Sequence, residues 1–334
     1  MAKQMRRTAI SRLAWAAILL GCGVPAHAPE TKTQVTLVPP SGSDPVANLL
    51  KGARDNDGAA VAKILDTGVD PDSPGPGGKT ALMTAAAMDN TEIMTQLIAA
   101  GADVNGTQQD GASALMVAAG LGRTAAVTLL LEQGATVDAS TADGMTALMF
   151  AAAAGAESAA LVLVSAGADV QATETGGETV LLAAAAAGSA SLVSALLEQG
   201  ADGGARDAKG NDAVTAAARN RHSEVIRVLA EAGAVDTARA TKGGWTALMI
   251  ACGQGDVETA KLLLDLGADP NRAAASGWTA LMFAAGRGHT DAAALLLERG
   301  ANSSVTDAMG QDAAKIALQN GYGETADIIL ENTK

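Results

Sequence analysis

Residues 244–271 read GWTALMIACGQGDVETAKLLLDLGADPN, and this one stretch holds the grammar of most of the chain. Thr246 is placed to cap a short helix through its hydroxyl, with Ala247, Leu248 and Ile250 following it. Gly253-Gln254-Gly255 breaks that helix. A second helix carries Val257, Ala260, Leu263 and Leu264 at helical spacing. Gly267 ends it as a C-cap glycine, and Ala268-Asp269-Pro270-Asn271 starts an extended turn.

The same words recur in phase. A glycine precedes the capping residue at 78, 111, 144, 177, 210, 244, 277 and 310, always 33 apart except for 34 between Gly210 and Gly244. A second ladder, Gly68, Gly101, Gly134, Gly167, Gly200, Gly233, Gly267 and Gly300, shows the same slip, so one residue is inserted between Gly233 and Gly244. The second ladder starts earlier, which makes residues 46–76 a further unit and the total nine. Asp212 and Asp312 stand where the other units have a capping hydroxyl, and a carboxylate caps equally well. Aromatic residues are only 2% of the chain, so its core must be filled by Ala, Leu, Val, Ile and 11 Met, which suits helices packed at short range.

A 33-residue helix-turn-helix-loop unit with a Thr-initiated first helix and a Gly-Ala-Asp-x-Asn exit resembles the ankyrin repeat. The resemblance covers residues 46–332 and implies an all-α solenoid of about nine helix-turn-helix units joined by hairpin loops. The units fall near 46–76, 77–109, 110–142, 143–175, 176–208, 209–242, 243–275, 276–308 and 309–334. One departure is systematic: the family's T-P-L-H is written T-A-L-M here, at Thr80–Met83, Thr146–Met149, Thr246–Met249 and Thr279–Met282. The last unit, with Asp312, Lys315, Gln319 and Asn320 on its first helix, reads as a polar cap on the array.

Signals for chemistry fail on inspection. Ser73–Thr80 ends like a phosphate-binding loop, but Ser73 stands at the first glycine and Gly78-Lys79-Thr80 is in register with Gly244-Trp245-Thr246. His222 and His289 hold the same position two units apart, too far for a shared metal. Cys252 lies on a packed helix face, and the periodic Asp and Asn residues are turn formers. No nucleophile-base pair can be named, so neither catalysis nor a cofactor or metal is expected. A net charge of -13 argues against a nucleic-acid partner.

What remains is a surface for a protein partner. The family resemblance implies docking on the concave side, formed by hairpin tips and first helices. There the middle units are mostly small, with Ala153, Ala154, Ala186 and Ala187, whereas units six to eight offer Arg219, Asn220, Trp245, Gln254, Trp278 and Arg287. Exposed Trp and Arg are enriched in binding hot spots, so Trp245 and Trp278 are expected to be solvent-exposed anchors flanked by Arg219 and Arg287. The inserted residue should reshape the hairpin before Trp245. The competing reading is that each Trp covers its own hairpin.

The N-terminus reads as an export address, residues 1–28, followed by a Pro- and Ser-rich linker over 29–45 and the repeat domain over 46–334. Lys3, Arg6, Arg7 and Arg12 precede an apolar run from Leu13 to Leu20, and no acid occurs before Glu30. Leu19-Leu20-Gly21-Cys22 resembles a bacterial lipobox, which implies lipidation of Cys22 and a periplasmic, outer-membrane-anchored protein. Two alternatives stay open: cleavage after Ala26 or Ala28 to a soluble periplasmic protein, and a cytoplasmic adaptor or inhibitor whose N-terminus is uncleaved. Membrane contact is expected only through that lipid, and the chain is expected to be monomeric on its own. Labelled palmitate should enter the wild-type chain and not Cys22→Ala; an unlabelled wild type would overturn the lipobox reading.

Overall fold

A computed structural model describes residues 44–332; the export segment, Cys22 and the linker up to residue 43 lie outside the described residues. The described chain clusters into two compact units that divide after Thr136. The first holds α1 (Pro45–Asp55), α2 (Gly58–Leu65), α3 (Ala81–Ala87), α4 (Thr91–Ala99), α5 (Ala114–Gly120) and α6 (Thr124–Glu132). The second holds six pairs: α7 (Ala147–Ala154) and α8 (Glu157–Ser165), α9 (Val180–Ala187) and α10 (Ala190–Glu198), α11 (Ala213–Arg219) and α12 (Ser223–Glu231), α13 (Ala247–Gly253) and α14 (Val257–Asp265), α15 (Ala280–Ala285) and α16 (Thr290–Glu298), α17 (Ala313–Gln319) and α18 (Gly323–Glu331). Within each unit, first helices stack on first helices and second helices on second helices. The extended structure among the described residues is isolated bridges such as Ala240 with Thr246.

The first helices start where the capping residues say they should. Thr246 Oγ1 accepts from Met249 N at 3.3 Å, Thr279 Oγ1 from Met282 N at 3.4 Å, and Asp212 Oδ1 from Thr215 N at 2.9 Å. Each such cap is worth about 1 kcal/mol. Asp44 and Pro45, read as linker, belong to α1: Asp44 Oδ1 accepts from Val46 N at 3.0 Å and Pro45 opens the helix, where a missing N–H costs nothing. The alanine pairs at the heart of the first helices, Ala85-Ala86, Ala217-Ala218 and Ala284-Ala285, are completely buried. A residue with no side chain beyond Cβ is what lets neighbouring helices pack this closely. Leu196, Leu229, Leu263 and Leu296 fill the layer under the second helices, each contributing roughly 1.5–3 kcal/mol by burial.

The loops after the second helices are clamped from unit to unit. Asp103, Asp169 and Asp269 each fold a turn by accepting from the N–H two residues on. Asn271 then reaches the next repeat, donating to Gly300 O at 3.0 Å and accepting from Asn302 N at 2.7 Å; Gln171 and Asn105 make the same pair of bonds. The corresponding position in the next repeat after Gln171 is Gly204, which has no side chain to grip with. That is where the register slips. Asp236 opens the usual turn (Ala238 N, 3.0 Å) and Ala240 pairs with Thr246 over the same span as Thr173 with Thr179. The extra residue therefore sits between Gly233 and Asp236, ahead of the hairpin, and the hairpin before Trp245 is not reshaped as the sequence suggested. Arg239 Nη1 holds Gly204 O at 2.8 Å in place of the absent clamp.

The last repeat exposes Lys315, Gln319 and Asn320, as read from the sequence, and also leaves apolar surface in the open. Leu318 is 55% exposed and Leu330 49%, although Ala218 and Ala285, at the position of Leu318 in earlier repeats, are fully buried. Only a following repeat covers that position, and none follows among the described residues.

The two glycine ladders do different work. Gly267 has φ +89 with nothing near its missing Cβ, so it serves a left-handed cap alone. Gly244 has φ +77, and a Cβ there would lie 2.7 Å from Ala275 N in the next hairpin. Gly267→Ala should cost about 1–2 kcal/mol in denaturant unfolding, the usual left-handed penalty. Gly244→Ala should cost clearly more; equal losses would show that the hairpin tips yield freely.

Candidate partner-binding face

Hairpin pairing positions the two tryptophans. Thr241 N donates to Trp245 O at 3.0 Å and Ala274 N to Trp278 O at 2.8 Å, so each ring leaves its hairpin in the same direction. Both rings are half-buried, not solvent-exposed as the sequence suggested. The reason is Phe283 of α15, which both meet edge-on, with centroids 5.4 Å from Trp245 and 5.2 Å from Trp278. Such pairs add about 0.5–1.5 kcal/mol beyond area burial. Trp278 Nε1 also donates to Asp307 Oδ2 at 3.2 Å. The rings pack on small residues: a Cβ on Gly253 would be in ordinary contact with Phe283 Cβ at 3.5 Å, and one on Gly286 with Trp278 Cζ3 at 3.4 Å.

Polar groups continue from this cluster through the ends of the first helices. The last carbonyls of a helix have no partner within it. Arg287 Nη1 donates to Gly253 O at 2.5 Å, and Arg221 Nη2 donates to the adjacent Gln254 O. Gln254 Nε2 donates to Arg219 O at 2.8 Å, and Arg219 Nη2 to Asn211 Oδ1 at 2.9 Å. Asn320 Nδ2 repeats the motif on Gly286 O at 3.1 Å, and in the first unit Arg123 Nε does so on Ala87 O at 2.9 Å. Gln254 and Arg287, read as free surface groups, are thus also inter-repeat ties. Asn220 is exposed but turns to its own helix, donating to Ala216 O at 3.0 Å. The structure joins Trp245, Trp278, Arg219, Gln254 and Arg287 in one contact chain and leaves Asn220 outside it.

Sequence reading missed Phe283, Arg221 and Asp307. Phe283 had a visible signal, being one of two Phe in the chain and five residues after Trp278. Arg221 had another: it stands where Gly155, Gly188, Gly255, Gly288 and Gly321 stand, and shares their left-handed backbone at φ 63. That conformation costs a residue with a Cβ about 1–2 kcal/mol. Strain of this kind points to a role for the side chain.

Cations are paired in part on the second helices and their loops, where Lys261 and Arg272 are exposed and form no ion pair among the described residues. On the second helices and their loops, Arg227 pairs with Glu224 and Glu258, Arg239 with Asp236 and Arg299 with Asp265. Arg206, Lys209, Arg219, Arg221, Lys242 and Arg287 are exposed and form no ion pair among the described residues. Of the carboxylates nearby, Asp207 accepts from Lys209 N, Asn211 N and Asn211 Nδ2 and also acts on Arg219, Asp307 accepts from Met309 N, Gln311 N and the Trp278 indole, and the buried Asp256 Oδ2 has no hydrogen-bond partner among the described residues.

The remaining candidates are structural. His222, His289 and Tyr322 lay their rings against Gly188, Gly255 and Gly288 of the preceding repeat, where a Cβ would come within 2.6, 2.6 and 2.3 Å. Burial pushes the Cys252 thiol up to about 12, and Asp256 adds to the effect, so the thiolate needed for reactivity does not form near neutral pH. Thr80 of the phosphate-loop lookalike accepts from Met83 N at 3.3 Å, and the Gly75 and Gly78 amides are used within the turn, on Lys79 O and Gly75 O. Among the described residues no cluster of three metal-capable side chains occurs, and no helix is long and apolar enough to cross a membrane.

Paired helices, stacked hairpins and a mixed aromatic and cationic face define a helical-repeat interaction protein. A family model for ankyrin repeats, three copies long, matches residues 49–141, 86–174, 136–207, 180–274 and 271–334. The chain belongs to the ankyrin repeat family, whose members generally mediate protein–protein interaction. No curated protein matches it.

Two groups on this face give stability a defined pH dependence. Burial holds His289 below 6.5 against an opposing bond at Gly253, and Arg287 and Arg221 lower it further. The unfolded chain therefore takes up this proton first, and stability is full above pH 6.5 and falls as pH drops through the folded value. The backbone N–H of Gln311 holds Asp307 below 3.8 despite its desolvation, helped by Met309 N–H and the Trp278 indole. Its contribution is present above pH 3.8 and lost as pH falls through the folded value. His289→Gln should flatten the first window and Asp307→Asn the second in urea titrations across pH; unchanged slopes would contradict the assignment.

Proposed function

We propose that the chain is a non-catalytic interaction scaffold of a bacterial cell envelope, receiving a protein partner on the hairpin-and-first-helix face of residues 209–308. One observation carries the reading: the half-exposed Trp245–Phe283–Trp278 cluster lies beside guanidinium groups that have no carboxylate partner. Rigid aromatic rings supply contact area at little entropic loss, and Arg supplies planar donors, the combination enriched in hot spots. The envelope location is supported by the basic and apolar N-terminal run and by Leu19-Leu20-Gly21-Cys22.

Crosslinking in the native host followed by mass spectrometry identifies the partner, and substitution then tests the face. Trp245→Ala and Trp278→Ala should each weaken binding by roughly 30-fold, about 2 kcal/mol. Because both rings also pack on Phe283, each should lower folding stability by about 1–3 kcal/mol, more for Trp278 with its indole bond. Binding is therefore measured well below the unfolding midpoint of each variant. Full affinity in both variants would move the partner to another surface.

A further inference from the structure

We propose that the segment of the partner that docks here is acidic, with its carboxylates on Arg221 and Arg287 and an apolar side chain against the Trp245–Phe283–Trp278 cluster. The inference rests on the interaction reading above and supplies the chemistry of the occupant.

Arg221 and Arg287 come from the repeats on either side of α13 and meet at its carboxyl end, on the adjacent carbonyls of Gln254 and Gly253. Each is held there by one N–H. A guanidinium has five, in a planar fork that matches a carboxylate, so both retain donors while already oriented. That preorganisation lowers the entropy lost on binding. The aromatic and cationic parts are contiguous: the Phe283 ring packs on Gly253, whose carbonyl holds Arg287.

Charge supports the same occupant. The chain carries a net charge of -13, yet Arg206, Lys209, Arg221, Lys242 and Arg287 stand on this side without an ion pair among the described residues. The carboxylates of Asp207 and Asp307 are taken up by turn N–H groups, with the Trp278 indole also on Asp307, and Asp256 Oδ2 is buried. Arg221 further occupies a left-handed site where the corresponding residue is glycine in six other repeats and Asn56 or Asp89 in the first two, so stacking alone does not require an arginine there. Nucleic acid could also use rings and arginines, but the overall negative charge opposes a polyanion far more than a short peptide.

The test is selection of a random displayed-peptide library on the immobilised wild-type chain and on Arg221→Gly, Arg287→Gln and Trp245→Ala. Titration of the selected synthetic peptides and of an oligothymidylate follows. Binders to the wild type should be enriched in Asp and Glu over the input library and weaken as salt rises. Arg221→Gly should lower their affinity about tenfold, the loss expected for one charge-assisted contact, while its unfolding curve stays close to wild type because glycine relieves the backbone. The inference is overturned by an empty selection, by binders without acidic enrichment, by indifference to Arg221→Gly, or by tighter binding of the oligothymidylate. Binders lost in Trp245→Ala but kept in both arginine variants would leave the interaction reading standing and remove this one. Binders that survive Trp245→Ala as well would remove both.

Discussion

The carbonyl oxygens that end each first helix have no partner within that helix, and much of the molecule follows from how they are satisfied. Five first-helix ends find a side chain of the following repeat waiting: Asn90 on Ala53 O, Arg123 on Ala87 O, Gln254 on Arg219 O, Arg287 on Gly253 O and Asn320 on Gly286 O. Cations and amides suit that place, because the helix dipole is negative there. These bonds lie beside the buried alanine pairs, so apolar packing and polar satisfaction are supplied by the same neighbour. No repeat can complete itself, which is why stability in such arrays is shared between adjacent units.

A consequence reaches the binding face. The donors that tie repeats together must lie at helix ends next to the hairpins, which is also where a partner would touch. At the ends of α7 and α9 the residues are small, Ala153, Ala154, Ala186 and Ala187. At the end of α13 two ties are arginines, and the neighbouring space is filled by Trp245, Phe283 and Trp278. One set of contacts thus orders the stack and leaves guanidinium donors facing outward. The left-handed Arg221 shows the tension between the two tasks, since glycine would serve the backbone better.

The slip in the repeat spacing shows how local chemistry sets tolerance. Loops gripped by Asn105, Gln171 or Asn271 keep their length, because the amide bonds both the carbonyl and the N–H of the next loop. Gly204 cannot grip, and the next loop is the one with an extra residue. The insertion is absorbed before the hairpin, so the tips remain hydrogen-bonded, with Lys242 N on Lys209 O at 2.9 Å.

Sequence alone determined the helix pairs, their caps and the positions of the turns, because each depends on residues within one repeat: Thr246 three residues before Met249, Gly267 in a left-handed cap, Asp269 folding its own turn. It also marked Trp245, Trp278, Arg219, Gln254 and Arg287 as neighbours, since identical positions in successive repeats must stack. It could not show that Phe283 draws both tryptophan rings halfway out of solvent, that Arg221 crosses to Gln254, or that Leu318 is left uncovered. Those outcomes depend on which side chain of one repeat reaches which atom of the next. Spacing along the chain carries the register of that meeting, and only the packed tertiary structure decides its contacts.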